Sequence, residues 1–141
     1  MRRAGARAAL SGVATLVLLA LAGAVAPWLA PAGPYAADLT GRLGPPSDAH
    51  LFGQDTLGRD VLARVLYGAR ISLGVGAPPP LPSWGAMIDE GRPFLLVAPH
   101  LVLFPGVALA LAVLALQLLG DGLRDLLDVG AAGPARSVIP P

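Results

Sequence analysis

A chain of 141 residues that is 55% hydrophobic and 13% charged, with a mean hydropathy of +0.67, is too apolar to keep its surface in water as a soluble domain. Its net charge of +1 leaves no electrostatic footprint for nucleic acid, and its ten basic residues are all arginine, which removes the lysine of a P-loop. The absence of cysteine excludes disulfides, thiolate metal sites and cysteine nucleophiles.

Arg2, Arg3 and Arg7 precede an apolar run over residues 8–29. Roughly 20 apolar residues suffice to cross the hydrocarbon core as a helix, so a first transmembrane span is predicted here. Trp28 suits an anchor at headgroup level, and Pro27 and Pro31 end the helix. A cleaved signal peptide is the competing reading, with Ala24-Val25-Ala26 as its small-residue site.

Residues 30–50 carry Gly, Pro, Asp and Ser without an apolar period and read as an extended polar segment. Residues 56–73 are different. Leu57, Val61 and Val65 recur every four positions, with Leu62, Leu66 and Ala69 beside them, which predicts an amphipathic helix. Asp55 or Thr56 is the expected N-cap, and Asp60 and Arg64 stand four apart in the favourable order for an ion pair. Arg59, Arg64 and Arg70 are expected to reach the headgroup layer, making this an interfacial helix.

A proline-rich seam over residues 77–82 stops any second span from starting there. Residues 84–92 are polar again, with Trp84 expected as an interface anchor. A second span is predicted over residues 97–119 despite Pro99 and Pro105, since membrane helices tolerate proline. Gly120-Asp121-Gly122 is expected to end it. Asp121, Arg124, Asp125 and Asp128 then fall on one face of a short amphipathic surface helix, ahead of a disordered tail.

The predicted fold class is an all-α membrane protein with two transmembrane helices joined by an external segment that carries an interfacial amphipathic helix. Its parts are residues 1–30, 31–92, 93–120 and 121–141. Arg2, Arg3, Arg7, Arg124 and Arg136 flank one membrane face, against Arg42 and Arg92 on the other, which puts both termini in the cytoplasm. Asp55, Arg59 and Asp60 read either as a functional gate or as a cap with surface ion pairs. His100 reads as a path-lining group or an interfacial one, and the acidic cluster at residues 121–128 as a cation site or a solvated face. His50 and His100 stand far apart, without ligand-like neighbours. With no nucleophile–base or metal constellation visible, no enzyme activity, metal or cofactor is expected.

The stretch "HLFGQDTLGRDVLARVLYGARISLGVG" resembles a signature of the dipeptide/oligopeptide/nickel type of bacterial ABC importer permease. The matching residues include Gly53, Asp55, Gly58, Arg59, Asp60, Arg64, Tyr67, Gly68 and Arg70, while Gln54 and Ala63 replace the usual Thr and Ser. The later block "LPSWGAMIDEGRPFLLVAPHLVLFPGVALALAVLALQLLGDGLRDLLD" is similar to the end of the same family. It matches at Trp84, Glu90, Gly120, Asp121, Gly122, Arg124 and Asp125 and departs at Gln117 and Val129.

In that family the first block leads into a second span, and several more spans and a loop that docks on the ATPase separate it from the last block. Nothing of that kind lies between Gly76 and Pro82, so the chain looks like a permease with its middle removed. The resemblance implies a subunit of the cytoplasmic (inner) membrane that imports peptides or similar small solutes. Its partners would be the lipid bilayer, a second permease subunit, ATPase subunits and a solute-binding protein. A small membrane interaction or assembly protein, or an inactive permease remnant, is the alternative.

Overall fold

The computed structural model describes residues 2–73 and 82–131. Among these the chain is helical: α1 (Arg2–Leu29), α2 (Val61–Ser72), α3 (Trp84–Gly91) and α4 (His100–Ala131), with 3-10 turns at Leu39–Gly41 and Arg92–Phe94. Two isolated bridges, Ala37 with Arg59 and Gln54 with Asp60, are the β-type pairings seen among the described residues. Residues 77–81 of the seam and the tail from residue 132 lie outside the described residues.

Two segments, Gly5–Leu29 and His100–Asp125, are long and apolar enough to cross a membrane. At 1.5 Å per residue the second is about 39 Å long, more than the roughly 30 Å of hydrocarbon. They pack antiparallel through small residues. Gly12 is buried, and a Cβ there would fall 2.6 Å from the Ala115 carbonyl oxygen. Ala108, Ala112 and Ala115 of α4 are buried, while Leu10, Leu18, Leu114 and Leu116 are exposed. This arrangement suits lipid, where helices associate by close backbone approach rather than by burying large apolar groups.

Gly120-Asp121-Gly122 does not end α4, and the expected separate surface helix over residues 121–128 is its continuation. Glycine inside a helix costs only about 1 kcal/mol, so it does not by itself stop one. Gly122 is needed for packing, because a Cβ there would run into Ala9 and the Gly5 carbonyl.

A cap of short elements closes the other end of the hairpin. Its core joins Val61, Val65 and Ala69 of α2, Trp84 and Met87 of α3, and Ala98, Leu101, Ala108 and Ala112 around α4. Phe52 stacks on Phe104 with ring centroids 4.0 Å apart. Two sequence expectations fail here. Helix α2 begins at Val61 rather than 56, because Asp60, not Asp55 or Thr56, is its N-cap. Trp84 is no interface anchor: it is fully buried, and its indole N–H donates to the Val65 carbonyl at 2.8 Å. Gly68 makes this possible, since a Cβ there would come 3.0 Å from Trp84 Cδ1 and 2.9 Å from the Pro82 carbonyl. Trp28, by contrast, stands 81% exposed at the end of α1, as an anchor would.

Candidate functional site

The motif residues from 53 to 64 form a knot of charge under the α2–α3 layer. Asp55 is its centre. One carboxylate oxygen accepts from the backbone N–H groups of Leu57 (2.8 Å) and Arg59 (2.9 Å). The other accepts from Arg59 Nε and Arg64 Nη1, both at 2.6 Å. Glu90 closes the set from α3, its carboxylate 2.9 Å from Arg64 Nη1 as an ion pair and accepting from Arg59 Nη2 at 3.2 Å. Two guanidinium groups thus face two carboxylates, and the knot carries no net charge.

Asp55 and Arg64 are 3% and 4% exposed, which excludes both the surface ion pair and the headgroup contact expected for them. Burial makes the pairing obligatory, since an unpaired charge in such a place is costly. The expected Asp60–Arg64 pair does not form. Asp60 uses one oxygen to cap α2 at Ala63 N (2.9 Å), and the other lies 2.8 Å from His50 Nδ1. An ionised carboxylate only accepts, so a hydrogen bond here calls on the His50 tautomer with a proton on Nδ1.

The loop that carries Asp55 is fixed by glycine. Gly58 has φ +73°, and a Cβ there would overlap the Asp38 carbonyl. Gly53 has φ +76°, and its Cβ would come 2.8 Å from the His100 ring. His100 is buried, with Nε2 3.3 Å from the Gln54 carbonyl. On the outer rim, hydrogen bonds from the Thr40 hydroxyl and backbone N–H hold the Asp38 carboxyl below its ordinary value.

The other motif residues do different work or lie elsewhere. Arg70 packs beside Gly23 of α1. Tyr67 is half-buried on α2. Gly120, Asp121, Arg124 and Asp125 are exposed at the opposite end of α4, so the two motif blocks make one knot and one distant end rather than a single site. Spacing alone did not point to Glu90 and His50, because each partner comes from another segment. The signal available for Glu90 was its place within the second motif block.

Among the described residues no group of three or more His, Cys, Asp or Glu side chains could hold a metal ion. A cavity of about 10 Å³, room for one water, touches Asp55, Arg64, Glu90 and Met87. Arg64 Nε is buried without a hydrogen-bond partner. The arrangement holds elements together and offers no nucleophile.

Comparison with known proteins adds the class. Part of the chain is similar to the permease proteins of a transport system. The similarity is to the glutathione transport system permease protein GsiD of Salmonella typhimurium and of Salmonella paratyphi A, each 62% identical over 65 residues. GsiD of Pectobacterium atrosepticum is 59% identical over the same length. The match covers 45% of this chain but 22% of each relative, so the chain spans only about a fifth of the length of the curated proteins it matches. No family model matches the chain. No solved structure matches it.

Proposed function

We propose that this chain is a shortened permease subunit of an ABC importer for peptides or similar small solutes in the cytoplasmic membrane. The observation that carries the reading is the 62% identity over 65 residues to permeases whose name gives glutathione, a peptide, as their cargo. Two helices of spanning length support it. The subunit contributes no chemistry. A second permease subunit, ATPase subunits and a solute-binding protein are its proposed partners, and both termini are proposed to face the cytoplasm. Because the segment that docks on the ATPase in such permeases has no counterpart here, the chain does not support uptake as it stands.

One observation favours a second reading, a small membrane assembly protein. The segments on either side of the seam close on each other through Glu90 and Trp84, as a self-sufficient hairpin would. Reconstitution in vesicles with candidate ATPase, permease and binding-protein partners separates the two. Partners that co-purify without ATP-dependent uptake support the first reading. Robust uptake contradicts the claim of inactivity, and failure to capture any such partner favours the second.

A further inference from the structure

We infer that the turn Leu95-Leu96-Val97 is a membrane-dipping tip, inserted among lipid chains at the capped end of the hairpin. The inference rests on the two spans and not on the transport reading. These three successive apolar residues are 51%, 99% and 76% exposed, and Leu96 touches almost nothing in the fold.

Their level follows from the register of the hairpin. Gly5 meets Asp125, Ala9 meets Gly122, and Gly12 meets Ala115 and Leu119. Carried along both helices, that register sets Trp28 level with the first turn of α4. The 95–97 turn leads directly into that turn. Trp28 and Leu29 are themselves 81% and 62% exposed. The tip therefore sits in the layer where apolar side chains meet lipid and aromatic anchors gather.

The backbone is suited to that position. Leu95 N–H donates to the Arg92 carbonyl, and the N–H groups of Val97 and Ala98 both donate to the Phe94 carbonyl, at 3.0 and 2.7 Å. A turn that satisfies these donors internally loses less on leaving water. Fully buried Ala98 fixes its base. On the preceding α3 and the 3-10 turn after it, the side chains of Asp89 and Arg92 are 82% and 74% exposed, where headgroups and water can solvate them. The patch is also too small for a protein partner. Three side chains fall far short of the roughly 1,200 Å² that a specific protein interface buries. The expected interfacial contact thus moves from α2, whose Val61, Val65 and Ala69 pack inward, to the turn before α4.

The lack of cysteine makes the test direct. The full chain with Leu96→Cys is labelled with an environment-sensitive fluorophore and reconstituted alone in phosphatidylcholine vesicles, with Asp89→Cys as comparator. The Leu96 label is expected to emit at shorter wavelength and to be quenched several-fold more by acyl-chain bromines than the Asp89 label. Equal emission and quenching at the two positions overturns the proposal. A blue-shifted Leu96 label that bromolipid does not quench also overturns it, because a protein contact then covers the tip. Val97→Cys, on the same turn, must repeat the Leu96 result, and retained emission from buried Trp84, read in a Trp28→Phe background, shows that each variant is folded.

Discussion

Arg64 and Asp55 meet at 2.6 Å across nine positions of chain, and each side chain is at most 5% exposed. Deleting Arg64 leaves Asp55 with Arg59 as its one cation, and deleting Asp55 leaves Arg64 with the half-exposed Glu90 alone. Arg64→Ala is expected to destabilise the cap by at most about 3–5 kcal/mol, the range for a buried charge left without a partner, because Asp55 keeps Arg59. Arg64→Lys keeps the charge but not the length and planarity that place the single Nη1 between Asp55 and Glu90, and should fall between wild type and the alanine variant. Unfolding in mild detergent, followed by helicity, measures both. A loss below about 1 kcal/mol for the alanine variant would mean that water reaches the pair.

The apolar pattern made the two spans legible, because a 20-residue run without charge has few other uses. The α2 face was legible in part for the same reason: Val61, Val65 and Ala69 are buried as their period implied, whereas Leu57 lies ahead of the helix and is exposed. What could not be read was which partner each polar group would take. Asp60 and Arg64 satisfy the four-residue rule perfectly, yet each points to a different segment. Local spacing measures only what is near in sequence. Glu90 stands 31 positions from Arg59, and tertiary packing alone brings them together. Trp84 misled similarly, since a tryptophan beside polar residues fits both a membrane anchor and a core plug. The space left by Gly68 decides the matter.

Asp60 caps the start of α2 with one oxygen and meets His50 with the other, so two variants separate its tasks. Asp60→Asn keeps a capping oxygen and should cost little in helix stability, while losing the charge beside His50. Asp60→Ala removes the cap as well and is expected to cost about 1 kcal/mol more. Thermal melts of the two variants give that difference. Equal stability would show that the cap contributes nothing.

Trp84 can be probed by its own light. Buried Trp84 and exposed Trp28 are the chain's two tryptophans. Trp28→Phe should leave an emission that aqueous acrylamide barely quenches. Trp84→Phe keeps most of the apolar contact but loses the bond to the Val65 carbonyl, leaving that carbonyl without its indole donor, at a cost of about 1–3 kcal/mol. Free quenching of Trp84 in the first variant would place it at the surface and remove the link between α2 and α3.

Gly120 and Gly122 test the hairpin against helix propensity. They stand two positions apart in α4 and share the same intrinsic cost, but not the same surroundings. A Cβ at Gly120 meets nothing within 4 Å, whereas one at Gly122 runs into Ala9 and the Gly5 carbonyl of α1. If propensity governed this region, leucine at either position would stabilise the helix by a similar amount, up to about 1 kcal/mol. If close packing governs it, the two substitutions have opposite signs. Gly120→Leu should be neutral or stabilising, while Gly122→Leu should force α1 and α4 apart at their open end. A cross-link between Gly5→Cys and Asp125→Cys, introduced in the otherwise cysteine-free chain, reads that separation directly. It should form in the Gly120→Leu background and fail in the Gly122→Leu one, and cross-linking to the same extent in both would show that the two helices do not meet through these glycines.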